Sequence, residues 1–159
     1  MSREDTLLGL LTAYGGALRR IARTYAGARG EAKDLHQEIL LQLWRGLASF
    51  RGDLAPGTWL YWVALNTALT WRRRSDRDAR ADSALGRLPG ETAGVPRSEA
   101  AILDELLASL GPIDRSVLLL YLQGLSYQEI GEVTGLSASA VGVRIHRTRK
   151  SNEDRYLKG

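Results

Sequence analysis

Three basic side chains near the end of the chain recur at helical spacing. Arg144, Arg147 and Lys150 are each three residues apart, so a helix would place them along one face. Arginine donates paired hydrogen bonds to phosphates and to guanine edges, which suits such a stripe to a nucleic acid. Ser137 and Ser139 stand near the expected N-terminus of that helix, where they could meet phosphate or base edges.

The residues around this stripe have the order expected of a helix-turn-helix. Ser126 and Glu129 have the spacing of a capping box, which begins a helix. Gly135 suits the left-handed conformation that ends one, and Ser137 can cap the next. Gly142 departs from the pattern, since glycine inside a helix costs about 0.5–1 kcal/mol relative to alanine. A helix-turn-helix would place its second helix in the DNA major groove, and a plain helical hairpin with a solvated charged face is the alternative.

A second candidate face lies on a predicted helix over residues 58–71. Holding an unstacked base takes aromatic walls and an amide or guanidinium that reads the base edge. Trp62, Asn66 and Arg73 fall near one face at spacings of four and seven. Trp59 shares this face, and its core role is the favoured reading. Phosphate contacts are expected from the basic residues that follow, Arg72, Arg73, Arg74 and Arg77.

Acidic and amide side chains define a third candidate face. Asp34 and Glu38 are four apart, with His36 and Gln37 between them. A metal site, and with it a small metal-dependent nuclease, is one reading; docking onto basic side chains of a partner protein is favoured. The chain has no cysteine and two histidines, which excludes disulfide scaffolds, cysteine nucleophiles and His-rich metal centres. We therefore expect no metal, no cofactor and no catalytic residue.

The elements that position these faces are predicted to be helices. Apolar residues recur at steps of three and four, which predicts an all-α fold. Helices are expected over residues 7–25, 34–47 and 102–110. Two more are expected to begin at the caps Thr58 and Asp114, and Gly27 and Gly30 should mark a turn. Charges, Gly and Pro replace the periodic pattern over 75–97. This predicts two small helical domains, 1–74 and 98–159, joined by a flexible linker, 75–97, with the helix-turn-helix in the second.

Charge is distributed in blocks along the 159 residues. The net charge is +4, yet residues 99–137 carry six acidic side chains against one basic, and residues 138–159 carry six basic against two acidic. Such asymmetry indicates separate surfaces for separate partners. No apolar run approaches the roughly 20 residues of a membrane span, and the first residues lack the layout of a signal peptide. We expect no membrane insertion and a cytoplasmic protein.

Four segments of the sequence resemble the extracytoplasmic-function (ECF) group of bacterial sigma factors. Residues 125–137 resemble the family's C-terminal helix-turn-helix, and residues 141–149 its recognition helix. Residues 34–45 resemble the segment that grips core RNA polymerase. Residues 58–68 resemble the helix that melts the promoter and reads its −10 element. Two departures are Pro56-Gly57, where the family usually has an aromatic and a basic residue, and Gly142, where it often has lysine.

The resemblance implies a division of roles between the two domains. The first would bind the clamp helices of the polymerase's large subunit and open the −10 element, and the second would hold the −35 element. The implied residues are Asp34, Gln37, Glu38 and Trp44 for polymerase, Trp62, Asn66 and Arg73 for −10, and Ser137, Ser139, Arg144, Arg147 and Lys150 for −35. Its implied partners are core RNA polymerase, promoter DNA and an anti-sigma factor, and the chain would be no enzyme. The alternative is a helix-turn-helix repressor or activator that acts without polymerase.

Overall fold

The computed structural model describes residues 2–26, 31–82 and 98–157. Within these ranges the chain is all α, with no strand. The turn expected at Gly27 and Gly30 lies outside the described residues, as does 83–97 of the expected linker. The helices are α1 (Arg3–Ala26), α2 (Ala32–Leu47), α3 (Pro56–Asp82), α4 (Glu99–Ser109), α5 (Pro112–Leu122), α6 (Tyr127–Thr134) and α7 (Ala138–Leu157).

Helices α1, α2 and α3 pack against one another and enclose a leucine-rich core. The apolar stripes predicted on the three helices are buried there, led by Leu18, Ile21, Leu35, Ile39 and Leu60. Burying each such side chain contributes about 1.5–3 kcal/mol. That packing keeps α1 continuous through Gly15 and Gly16, because helices in proteins are stabilised mainly by their buried face.

Helix α3 begins earlier and ends later than the sequence pattern predicts. Pro56 opens it, since the fixed φ of proline suits the first helical position. Thr58, the predicted N-cap, is instead 3% exposed in the third position, so that prediction is wrong. The helix also continues through 75–82, which the composition had assigned to the linker. An ion pair one turn apart, Arg72 Nε to Asp76 Oδ1 at 3.3 Å, connects this extension to the turn before it.

Helices α4 to α7 form the second half of the described chain. Ser98 caps α4 by accepting a hydrogen bond from the Ala101 amide at 3.2 Å. Gly111 and Pro112, rather than the predicted Asp114, begin α5. Asp114 lies in its first turn, and its carboxylate is engaged elsewhere. The predicted helix-turn-helix is confirmed as α6 and α7, separated by the left-handed Gly135 with φ 83°.

The two halves touch each other. Helix α3 packs against α6, and α1 meets α4. Arg20 Nη1 of α1 lies 3.9 Å from Asp104 Oδ1 of α4. The hydroxyl of the fully buried Tyr25 is hydrogen-bonded to the Ser116 hydroxyl of α5. The face of α3 that was expected to hold DNA therefore lies close to the helix-turn-helix.

Candidate nucleic-acid interface

The turn between α6 and α7 is held by its caps and by close backbone packing. The Ser126 hydroxyl accepts from the Glu129 amide at 3.1 Å, and Glu129 Oε1 accepts from the Ser126 amide at 3.0 Å. Hydrogen bonding to Ser126, chiefly to its backbone amide, lowers the pKa of the Glu129 carboxyl. A side chain at Gly131 would place its Cβ 2.5 Å from the Leu136 carbonyl oxygen. Glycine at this position is therefore what lets the chain after the turn pass so close to α6.

Helix α7 presents one buried and one exposed face. Val141, Ile145 and Thr148 point inward and are buried. The exposed side chains on the opposite face are Ser139, Val143, His146, Arg147 and Lys150. Three of the residues predicted to contact DNA, Ser139, Arg147 and Lys150, thus share the open face.

Ser137, the first of the predicted DNA-contacting residues, is exposed and caps α7. Its hydroxyl accepts from the Ala140 amide at 3.1 Å. The N-cap predicted from the sequence is therefore confirmed. Because one lone pair serves the cap, the hydroxyl hydrogen is the group that Ser137 can still offer to a phosphate.

Arg144 departs from the predicted basic stripe. Its side chain is half-buried, and its Nη1 donates to Asp114 Oδ1 of α5 at 2.8 Å. Arg149, on a neighbouring face, donates from Nη2 to the Tyr121 hydroxyl at 2.9 Å. The stripe is therefore divided: Arg147 and Lys150 are open, whereas Arg144 is tied to the helix beside it.

Gly142 is explained by the ring of Tyr127 on α6. A Cβ at Gly142 would lie 3.2 Å from Tyr127 Cε2, closer than an ordinary contact. The ring thus occupies the space where a side chain at position 142 would begin. Replacing this glycine would require the half-exposed tyrosine to move.

The predicted −10 face on α3 is partly exposed. Trp62 is 46% exposed, and Asn66 and Arg73 are exposed as well. Asn66 Nδ2 donates to the Trp62 carbonyl oxygen at 2.7 Å, which leaves the amide a second hydrogen and an oxygen for a base edge. Trp59 is buried, with its ring 4.8 Å from that of Phe50, which confirms its core role. Trp62 and Asn66 remain as the pair that could hold a base.

The same face of α3 opposes the second half. Asn66 and Arg73 line a cavity of about 200 Å³ together with Pro112 and Thr134. Pro112 begins α5 and Thr134 ends α6. In this arrangement part of the α3 face borders α5 and α6, while its side chains remain exposed.

The predicted polymerase-binding residues lie along α2 in two settings. Asp34 and Gln37 are exposed. Glu38 is half-buried and accepts from Gln42 Nε2 at 2.9 Å. Trp44 is half-buried beneath the Arg3 guanidinium, which lies 3.8 Å from the ring centroid. Leu41 lies between these residues and is 40% exposed. It was not predicted from the sequence, although an apolar residue on an otherwise acidic helix face would have indicated it.

His36 does not form a metal site with its acidic neighbours. Among the residues the structure describes, no group of three or more His, Cys, Asp or Glu side chains could hold a metal ion. Burial, together with the nearby Arg19, lowers the pKa of the His36 imidazole. This shift favours the neutral form of the His36 imidazole in the folded chain.

An apolar groove, also not foreseen, runs between α4, α5 and α7. It has a volume of about 460 Å³ and is lined mainly by Leu103, Leu106, Leu118, Leu122 and Ile145. Arg149 and Glu153 lie at its polar edge. Over the described ranges, none of the helices has the length and apolar content needed to cross a membrane.

Comparison with known proteins finds relatives over both halves. The Sigma-70 region 2 family matches residues 10–78, and the Sigma-70, region 4 family matches residues 100–151. The RNA polymerase sigma factor YlaC of Bacillus subtilis is 35% identical over 74% of this chain and 73% of its own length. The ECF RNA polymerase sigma-E factor of Escherichia coli K12 is 30% identical over 79% of this chain and 74% of its own.

Two solved structures are similar over most of the chain. CnrH, in complex with the cytosolic domain of CnrY, has a TM-score of 0.66 and 26% identity, over 91% of this chain and 82% of CnrH. The sigma factor RpoE, in complex with the anti-sigma factor NepR from Bartonella quintana, has a TM-score of 0.74 over 91% of this chain and 92% of RpoE. At 21% identity the second likeness is one of fold.

Proposed function

The chain belongs to the ECF group of sigma-70 RNA polymerase sigma factors, and from that premise we propose which of its surfaces performs each step of transcription initiation. Residues 1–74 would bind core polymerase and open the −10 element, and residues 98–159 would hold the −35 element. Residues 75–97, the first eight of which continue α3, would link the halves. The polymerase supplies the chemistry of RNA synthesis, so the chain binds and positions and is no enzyme itself. It would act in the cytoplasm, together with the polymerase.

The polymerase-binding surface would be the outer face of α2. Asp34 and Gln37 offer exposed acidic and amide groups, and Glu38 adds a carboxylate ordered by Gln42. Trp44 closes one end of the face under Arg3. Leu41, an exposed apolar residue, lies between these polar side chains. An apolar centre with a polar rim is typical of a protein–protein interface. This supports a protein partner, rather than DNA, on α2.

The −10 surface would be the exposed face of α3. Trp62 offers an aromatic surface on which an unstacked base can pack. Asn66, fixed by its bond to the Trp62 carbonyl, would read the edge of that base. Arg73 lies on the same helix beyond them and would contact the phosphate backbone.

The −35 surface would be the outer face of α7. Ser137 and Ser139 stand at its N-terminal end, and Arg147 and Lys150 follow along the exposed side. Arg144, half-buried and paired with Asp114, would lie at the edge of this surface next to α5. A helix with this polarity can lie in the major groove with its N-terminal part toward the bases.

An anti-sigma factor is the partner we propose for the inactive chain. Asn66 and Arg73 border α5 and α6 across a small cavity, so separation of the halves would open this side of α3 fully to a −10 strand. A partner that held α3 against α5 and α6 would keep the chain inactive. The similar fold of RpoE was solved with an anti-sigma factor, which supports this kind of control.

The observation that carries the function is that one chain holds a capped helix-turn-helix with an open basic face and an α2–α3 pair with an exposed Trp62 and Asn66. The test is an abortive-initiation assay with core polymerase and promoter fragments. We expect short transcripts that require both the chain and core polymerase. Tight, specific duplex binding without core, and no core-dependent transcript, would instead identify a repressor or activator.

A further inference from the structure

Val143 is an exposed apolar side chain in the middle of the open face of α7. It is 48% exposed. Its neighbours two residues away on either side, Val141 and Ile145, are buried. Because successive helical residues turn by about 100°, these two anchors direct Val143 away from the core. The packing of the helix-turn-helix therefore does not require a valine at this position.

The two positions directly beside Val143 in the sequence do not offer a competing side chain. Gly142 has none, and the Tyr127 ring occupies the space beside it. Arg144 is turned toward α5 by its bond to Asp114. Ser139 and Arg147, four residues before and after Val143, complete the same face. Val143 is thus the central side chain of that face, with a short polar group on one side and a guanidinium on the other.

The major groove offers one apolar group that such a side chain can cover. Thymine carries a C5-methyl group there, and no other standard base does. Valine in a helix has one strongly preferred χ1 rotamer, so its two methyl groups are already ordered before binding. Contact between the valine methyl groups and the thymine methyl group removes apolar surface from water, and it does so without ordering a flexible side chain.

We propose that Val143 determines sequence specificity by contacting the methyl group of one thymine in the −35 element. Arg147, one turn further on, would lie beside it over the adjacent base pair or phosphate. The inference rests on the proposed role of α7 in −35 binding. It adds to that role the residue that distinguishes thymine from the other bases at one position.

The test removes the methyl group from the DNA and the side chain from the protein independently. Holoenzyme assembled from core polymerase and the full chain is first used to select its preferred −35 sequence. Each thymine of that element, on either strand, is then replaced singly by deoxyuridine, which lacks only the C5-methyl. We expect one replacement to weaken holoenzyme binding about fourfold, the effect of exposing roughly one buried methyl group.

The variant Val143→Ala should bind the thymine promoter about as weakly as the wild type binds the uracil promoter. It should also be insensitive to that single replacement. Leu8→Ala, which shortens an exposed apolar residue on α1, is the matched control and should keep the wild-type sensitivity. Thermal unfolding of both variants shows whether the fold is intact.

Three outcomes would overturn the proposal. They are equal sensitivity to deoxyuridine in wild type and Val143→Ala, no thymine whose methyl group matters, and a selected −35 element without thymine. Failure of the proposed function has a different signature, since the wild-type chain would then support no core-dependent binding or initiation on any promoter.

Discussion

The Tyr25 hydroxyl is hydrogen-bonded to the Ser116 hydroxyl, which joins α1 of the first half to α5 of the second. Ser116 uses its own hydrogen to donate to the Pro112 carbonyl oxygen at 2.9 Å. A serine hydroxyl has one hydrogen, so Tyr25 is the donor in the bond between the halves. Burial raises the pKa of the Tyr25 hydroxyl, which keeps it protonated and able to donate.

Arg115 lies beside this contact and connects it to α4. Its guanidinium donates to the carbonyl oxygens of Leu107, Ala108 and Leu110, at 2.8, 3.2 and 2.9 Å, at the end of α4, where the last carbonyls of a helix lack their usual partners. It also lies 5.5 Å from the centre of the Tyr25 ring. One arginine therefore hydrogen-bonds the C-terminal carbonyl groups of a helix in the second half and packs on an aromatic ring of the first half.

Removing the Tyr25 hydroxyl should weaken the contact between the halves. Tyr25→Phe keeps the ring under Arg115 and loses one buried hydrogen bond, at a cost of about 1 kcal/mol in the free energy of unfolding. Urea denaturation of Tyr25→Phe, Ser116→Ala and the double variant measures the coupling between the two groups. Strictly additive effects of the two single changes would show that the bond contributes nothing.

Locking the two halves together should abolish initiation. The chain has no cysteine, so Arg20→Cys and Asp104→Cys would introduce a single pair of thiols at the α1–α4 contact. A short, reducible crosslinker between them should stop core-dependent transcription, because α5 and α6 then stay beside Asn66 and Arg73. Reduction should restore activity, and each single variant treated alike is the control. Full activity in the crosslinked chain would contradict the need for separation.

Two glycines that both lie inside helices should change stability in opposite directions when each is replaced by alanine. Gly131→Ala forces a Cβ against the Leu136 carbonyl oxygen, and overpacking of this kind costs about 1–3 kcal/mol. Gly16→Ala meets nothing within 4 Å inside α1 and should stabilise the chain by about 0.5–1 kcal/mol. Thermal and denaturant unfolding of the two variants gives the comparison. Equal effects would show that the close approach at Gly131 is not limiting.

Stability should fall as the pH is lowered through the ordinary histidine value of 6.5. The pKa of His36 is lowered in the folded chain by burial and by Arg19, so the unfolded state takes up its proton first. This contribution is fully present above 6.5, is lost as the pH falls toward the folded pKa, and is constant below that. Urea midpoints measured from pH 8 to pH 5 should decline less in His36→Gln than in wild type. His146→Gln, on the exposed face of α7, is the control.

Changes on α7 should separate DNA binding from polymerase binding. Arg147→Ala removes an exposed guanidinium and should weaken −35 binding while leaving core binding unchanged. Arg144→Ala should weaken −35 binding as well, and it should also lower stability by at most about 1 kcal/mol because it breaks the partly exposed ion pair with Asp114. Promoter binding by holoenzyme and chain–core affinity are the two readouts. Loss of core affinity in either variant would contradict the assignment of α7 to DNA.

Features that depend on neighbours within one helical turn could be predicted from the sequence. The capping box of Ser126 and Glu129, the left-handed Gly135 and the cap at Ser137 were all predicted correctly, because each is set by residues at most four positions apart. The apolar stripes on α1 and α2 were predictable for the same reason. The all-α class and the helix-turn-helix follow from such local signals.

Features that depend on distant residues were decided by the tertiary structure alone. Arg144 and Asp114 are 30 positions apart, so periodicity placed Arg144 on the open stripe although packing turns it toward α5. Tyr25 and Ser116 are 91 positions apart, and only docking of the halves brings their hydroxyl groups together. The sequence by itself determined which helices form and which faces are apolar. Which polar groups remain free for DNA was decided by the partners that packing brings to them.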